Sequence, residues 1–256
     1  MPDTSTTALP PQALLDRWDA QQSAYIAHRE SRFEVMLDVL RLHLPERFHA
    51  LDLACGPGSL AARVLRAFPG ARVTAVDHDP LLLRIADGVL GAYGERAAVR
   101  DTDLVRADWA APLAGERIDA VVSSTALHWL SPAQLLAVYT ELAALLPPGA
   151  VFLNADHLRF APAEETLTAL SERHDAEVQR TAFAAGADTW DEWFALAAAQ
   201  PGMAPLADER ERRFADRPPQ PLAPLHFHLS ALRTAGFSEV GTVWQYLDDY
   251  VVLARR

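Results

Sequence analysis

Cysteine is nearly absent from this chain. Cys55 stands alone, which excludes an internal disulfide and leaves no partner thiols for a thiolate metal cluster. Basic residues never gather into a run, and the net charge is −11. Nucleic acid and anionic membranes both need clustered positive charge, so neither is expected as the main partner. No stretch approaches the ~20 apolar residues of a membrane span. The segment Met1 to Pro11 is polar and proline-broken, without the apolar core of a signal peptide. Internal repeats and long low-complexity tails are also missing. These absences predict a soluble, acidic, cytoplasmic protein. What is present is an apolar fraction of 50% over 256 residues, enough to bury one large core. One domain over residues 1–256 is expected.

The pattern from Pro11 to Leu44 is helical, with Leu14, Leu15, Trp18, Phe33, Met36, Leu37 and Leu40 recurring at helical spacing until Pro45. Strands and helices then alternate. Strands are predicted at Ala50–Ala54, Ala71–Val76, Val99–Arg106, Ile118–Ser123 and Ala150–Asn154, and helices at Ser59–Phe68, Pro80–Leu90 and Pro132–Leu146. Ser131 is placed to cap the last of these, with Pro132 at its first position. Parallel strands need long crossovers, which these helices supply, so a parallel α/β sheet covered on both faces is expected. The rhythm changes over residues 158–227. Helical, alanine-rich segments there carry Trp190, Trp193 and Phe194, then the charged stretch Asp208–Arg217, then a proline-rich connector, Arg217–Pro224. We expect a cap inserted over the ligand edge of a core at 46–157 and 228–256. Asp208–Arg217 is expected to be a solvated helix face of mixed sign. A helix at His228–Ala235 and two strands, Ser238–Trp244 and Tyr250–Ala254, close the chain. The connection between the strands is too short for anything but an antiparallel pair.

The rest is organised around Ala50-Leu51-Asp52-Leu53-Ala54-Cys55-Gly56-Pro57-Gly58-Ser59-Leu60, which reads as strand, glycine turn and helix start. Two glycines let the backbone bend sharply and approach a ligand, and the helix beyond would aim free N–H groups over the turn. Asp52 inside an apolar strand is either a turn-capping acid or a ligand contact. Gly56-x-Gly58-x-x-Ala61 with Asp77 ~20 residues on also fits a dinucleotide fingerprint. Asp52, the pair Asp108-Trp109 and the closing hairpin redirect that reading.

Those residues resemble the class I, Rossmann-like S-adenosylmethionine-dependent methyltransferases. Leu51 to Gly58 is similar to the family's first motif, Val73-Thr74-Ala75-Val76-Asp77 to its second-strand motif and Arg106-Ala107-Asp108-Trp109 to its adenine-site motif. Asp119 to Ser124 is similar to its fourth strand, and Pro147-Pro148-Gly149 falls at its usual turn before strand five. His128-Trp129 and the inserted cap resemble the small-molecule branch that includes trans-aconitate methyltransferase. The resemblance implies a mostly parallel seven-stranded sheet, S-adenosyl-L-methionine as cofactor and a small-molecule acceptor. It implies that the Gly56–Gly58 backbone faces the methionine part of the cofactor, with Asp52 near its amino group and Ala54 and Cys55 also among the cofactor-binding residues. Asp77, followed by His78, would take both ribose hydroxyls, Asp108 and Trp109 would flank the adenine, and Ser124 would sit beside the methionyl segment. Tyr25 and Arg29, one helical turn apart, would cover the cofactor, with Arg29 toward its carboxylate.

For the acceptor, His128 lies at the carboxyl edge just after strand four, where a histidine suits proton removal at neutral pH. It is either that base or a hydrogen-bonded wall. Trp129 and His157 are further acceptor-side candidates, and Trp190 and Trp193 either line the acceptor pocket or anchor the cap. Cys55 reads as a small buried filler, having no activating base nearby. His226-x-His228 lacks a third ligand, so no metal is expected. Two other functions use the same residues: a protein of this fold that binds the cofactor without methylating, as a scaffold or cyclase, and an NAD(P)-dependent oxidoreductase.

Overall fold

A computed structural model describes residues 8–161, 163–217 and 222–256. Part of the proline-rich connector, 218–221, and the first seven residues lie outside the described residues. Two helices, α1 (Pro11–Tyr25) and α2 (Arg29–His43), precede the alternating core of β1 (His49–Leu53), α3 (Ser59–Ala67), β2 (Arg72–Asp77), α4 (Pro80–Leu90), β3 (Ala97–Asp101), β4 (Ala120–Ser124), α5 (Pro132–Leu145) and β5 (Val151–His157). Three helices follow, α6 (Glu165–Ala184), α7 (Trp190–Ala198) and α8 (Ala204–Phe214). The chain closes with α9 (Leu225–Ala235), β6 (Glu239–Tyr246) and β7 (Asp249–Arg255).

The strands form one seven-stranded sheet in the order β3-β2-β1-β4-β5-β7-β6. The first five run parallel, and β7 is antiparallel to both β5 and β6. Strand order reverses between β1 and β4, which opens a crevice at the carboxyl ends of those strands. Alternation along the strands gives each face its own core. Ala50, Val73, Ala75 and Val122 pack against the side covered by α1 to α4, while Leu51, Leu53, Val121 and Phe152 pack against α5 and α9. The caps are those the local sequence provides. Ser131 and Gln134 close a reciprocal capping box on α5, and Asp79 accepts the Leu81 and Leu82 N–H groups at the start of α4.

Three sequence expectations need correction. The N-terminal helical pattern is broken in two, because His28 adopts a left-handed backbone (φ 54) and Ile26, extended, is drawn into the core. Tyr25 and Arg29 therefore end one helix and begin the next; they do not share a turn. The third strand spans Ala97–Asp101 and does not reach Arg106. Asp103 accepts the Val105 N–H at 3.1 Å and its carbonyl takes the Arg106 N–H, which makes 102–106 a turn. The charged run on α8 is only partly a solvated face: Asp208, Glu211 and Arg212 are exposed, but other arginines pair across the fold. Arg210 bonds Asp79 at 2.6 Å, Arg213 bonds Asp101 at 2.7 Å and, just past the helix, Arg217 bonds Asp103 at 2.5 Å. Acids more than 100 residues away supply the counter-charges, so periodicity within the run carried no sign of them.

Candidate functional site

A cavity of about 760 Å³ lies over the carboxyl ends of β1, β2 and β4, within the ~300–1,000 Å³ typical of small-molecule sites. Its floor is the turn after β1 and the segment after β4, one side is α1, and α7 and α8 cover it. The floor turns tightly because Ala54 and Gly58 both adopt left-handed backbone, φ 56 and 92. A side chain at position 58 would be strained there and would press on Leu90 at 3.3 Å.

Two acids stand at this floor, Asp52 buried and Asp77 half-buried. Asp52 accepts the Ala61 N–H at 2.8 Å, capping the first turn of α3, and also lines the cavity. The two sequence readings of Asp52 thus hold together, and that N–H of α3 is not available to a ligand. Burial, helped by the charge of Asp77 and opposed by the Ala61 N–H, pushes the Asp52 carboxyl up to about 7. Asp77 accepts N–H groups from Gly56 (2.7 Å), His78 (2.7 Å) and Asp79 (2.8 Å). Burial raises its carboxyl too, against those hydrogen bonds. Cys55 lines the cavity beside them, and burial holds its thiol well above the usual range, so it is an inert filler.

The structure brings Tyr25, Arg29, His78, Ser124, His128, Trp129, His157 and Trp190 to the same cavity, with Ala54 and Gly56. Tyr25 accepts the Trp190 N–H at 3.1 Å, tying α1 to the cap. Arg29 is buried and bonded to Asp19 at 2.8 Å. Trp193 takes the second of its two expected roles, and Asp108 and Trp109 are not placed as expected. Trp193 is fully buried away from the cavity; its indole donates to the Leu14 carbonyl at 3.2 Å and its ring meets Trp18 edge-on, so it anchors the cap to α1. Asp108 is exposed and paired with Arg106, and Trp109 is buried among the α5-side core residues. Neither lines the cavity. The strand stops at Asp101, and the turn that follows presents Thr102, Asp103, Leu104 and Val105 instead.

His128 has a partner that the sequence reading missed. Its Nδ1 lies 2.6 Å from Asp156 Oδ1, and Asp156 Oδ2 accepts its backbone N–H at 3.1 Å. Asp156 is fully buried at the end of β5, the neighbour of β4. Burial alone would raise its carboxyl, but the fields of His128, His157 and Arg32 and the His128 hydrogen bond overcome this and hold it at about 2. An ionised carboxylate at Nδ1 fixes the ring and leaves Nε2 for the cavity. The signal available beforehand was an acid near the end of an apolar strand, the same anomaly as Asp52. His157 Nδ1 lies 2.5 Å from Asp249, behind which Arg32 lies 3.4 Å from the same carboxylate. His228, of the pair with His226, is buried and accepts the Tyr139 hydroxyl at 2.7 Å; burial pushes it down to about 4, so it is a neutral core group.

Residues 50–149 match a family model described as a methyltransferase domain. Trans-aconitate 2-methyltransferase of Paracidovorax citrulli is 29% identical over 160 residues, covering 59% of this chain and 58% of the relative. Release factor glutamine methyltransferase of Gloeobacter violaceus is 32% identical over 129 residues, covering 50% of this chain and 43% of the relative. The chain thus spans about half the length of the curated relatives it matches. An O-methyltransferase family protein from Burkholderia thailandensis superposes with a TM-score of 0.57 at 20% identity, covering 96% of this chain and 70% of that one, which shows the shared fold. No helix among the described residues is long and apolar enough to cross a membrane. By its glycine turn, its strand order and the methyltransferase domain matched over residues 50–149, the chain is similar to the class I S-adenosylmethionine-dependent methyltransferases.

Proposed function

We propose that this chain transfers a methyl group from S-adenosylmethionine to a small-molecule acceptor, with residues 1–256 working as one domain. The observation that carries the reading is one cavity lined by both acids at the glycine turn and by His128, whose ring Asp156 orients. The acids fit a cationic ligand. Asp52 retains an oxygen not used by α3, and a positive charge bound beside it would favour the ionised carboxylate, the proton leaving to solvent. Asp77 has one acceptor site beyond its three backbone bonds and is placed for the ribose. Arg29 and Ser124 flank the methionine end, while the turn at Thr102–Val105, His78 and Phe214 form the adenine end in place of Asp108 and Trp109. When bound, the cofactor supplies a methyl group already activated on a positive sulfur. The protein's task is then to align the acceptor with that carbon and exclude water, and orientation of this kind accounts for several kcal/mol of barrier. His128 would remove a proton from an acceptor hydroxyl, and Asp156 holds the ring for it.

The test combines binding and transfer. S-adenosylhomocysteine should raise the melting temperature and NAD(P) should not, since a ligand specific to the native state stabilises it. Label from methyl-labelled cofactor should appear in a small-molecule acceptor. A shift with NAD(P) alone would point to an oxidoreductase, and a shift with S-adenosylhomocysteine without transfer across an acceptor panel would point to a scaffold.

Asp52 adds a pH dependence whose sign is definite. Its folded value, about 7, lies above the ordinary carboxyl value, so the cofactor-free protein favours the protonated form. Stability from this group is full at low pH and is lost as pH rises toward 7. Binding of a cation needs the ionised form. The Kd for S-adenosylmethionine should therefore rise as pH falls below 7, by up to about tenfold per unit. Asp52→Asn should flatten the profile in titration calorimetry; an unchanged slope would remove Asp52 from the site.

A further inference from the structure

We infer that the acceptor is an uncharged hydroxyl compound with an apolar, ring-sized body, and that a polycarboxylate is excluded; this rests on the methyl-transfer reading above. The inference comes from the charge lining the cavity. The chain contains no lysine: its 23 basic side chains are all arginine. Three of them reach the cavity, and each is already paired. Arg29 bonds Asp19 at 2.8 Å, Arg210 bonds Asp79 at 2.6 Å and Arg217 bonds Asp103 at 2.5 Å. Should Arg29 turn to the cofactor's carboxylate, it is spent there. Against these three stand five aspartates on the wall: Asp52, Asp77, Asp79, Asp103 and Asp216. Residues 1–7, 162 and 218–221 contribute no arginine, lysine or histidine side chain. A carboxylate brought into this space would give up its hydration without an unpaired arginine or lysine to replace it, next to like charge, a cost of several kcal/mol for a buried ion.

The neutral surface points to what does fit. Trp18, Trp190 and Phe194 line the cavity as one aromatic cluster, with Trp18 and Trp190 centroids 5.6 Å apart and Trp190 and Phe194 4.9 Å apart. Ile26 and Leu130 extend the apolar wall, and Trp129 lies tilted beside His128 with ring centroids 5.0 Å apart. The polar anchor on this wall is the His128–Asp156 pair, and a built base has use only for an acceptor that carries a proton. A carboxylate needs no such base. In the reaction, the hydroxyl proton passes to His128 Nε2 as the acceptor oxygen forms its bond to the methyl carbon. The bond from that carbon to sulfur breaks, its electron pair stays on sulfur, and the sulfur becomes neutral. The products are the methyl ether, S-adenosylhomocysteine and a proton that leaves the imidazolium for water.

The experiment titrates the full-length protein, saturated with S-adenosylhomocysteine, with three probes by calorimetry. These are 2-naphthol, the same ring bearing an acid (6-hydroxy-2-naphthoate), and trans-aconitate. We expect 2-naphthol to bind at least tenfold more tightly than its carboxylated counterpart, and trans-aconitate to give no heat. With Trp190→Ala the 2-naphthol affinity should fall at least fivefold while S-adenosylhomocysteine still binds. Tighter binding of either carboxylate, or no binding of 2-naphthol to the saturated protein, overturns the inference while leaving the cofactor site standing. Failure of S-adenosylhomocysteine to bind in the first step overturns the function proposed above, and this inference with it.

Discussion

His128→Ala should lower turnover with a hydroxyl acceptor by about 10²–10⁴-fold, the usual contribution of a positioned acid or base, and leave the Kd for S-adenosylhomocysteine within about twofold. The separation follows from geometry. His128 meets the cavity after β4, with Nδ1 on Asp156 at 2.6 Å, whereas the acids and turn assigned to the cofactor lie on β1, β2 and their following loops. Asp156→Asn tests the orientation separately. Its amide keeps the volume but offers an N–H or an oxygen to Nδ1 with no charge to hold the tautomer, so turnover should fall with little change in cofactor affinity. Single-turnover measurements with saturating cofactor would read both effects. If His128→Ala keeps wild-type turnover, the ring is a wall of the cavity and the proton goes elsewhere.

Asp77→Ala should weaken S-adenosylhomocysteine binding by at least about tenfold, since a hydrogen bond to a charged group is worth about 1.5–3 kcal/mol and about 1.4 kcal/mol is tenfold in Kd. The loss has two sources. The carboxylate assigned to the ribose is gone, and the N–H groups of Gly56, His78 and Asp79 lose their common acceptor, which loosens the floor. The second source also lowers the melting temperature of the free protein. Circular dichroism would establish that the variant is folded, and the increment of melting temperature on adding S-adenosylhomocysteine would then report the ribose contact. An increment equal to that of the wild type would place the nucleoside elsewhere.

Some of the site was readable from local chemistry. Glycines 56 and 58 at a strand end, an acid inside an apolar strand and a second acid at the next strand end are short-range signals, and each of those residues lines the cavity or shapes its floor. Alternation of strands with helices likewise displayed the sheet, because crossover length and hydrophobic period are properties of the chain itself. The failures share a cause. Val99 to Arg106 has strand-like composition, yet Asp103 turns it by bonding its own neighbour, and the adenine-site motif one turn further on was consequently placed at the cavity when it lies outside. Arg210, Arg213 and Arg217 read as solvated because their partners, Asp79, Asp101 and Asp103, lie far off along the chain.

By itself, then, the amino-acid order determined the α/β sheet, the glycine turn and the acids at the first two strand tips, since these depend on neighbours a few residues apart. Only tertiary structure decided that Asp156 stands behind His128, 28 residues away, that Trp193 anchors the cap while Trp190 faces the cavity, and that every cavity arginine is neutralised. Those pairings join side chains from different strands and helices, and a distance across the fold leaves no mark in the spacing along the chain.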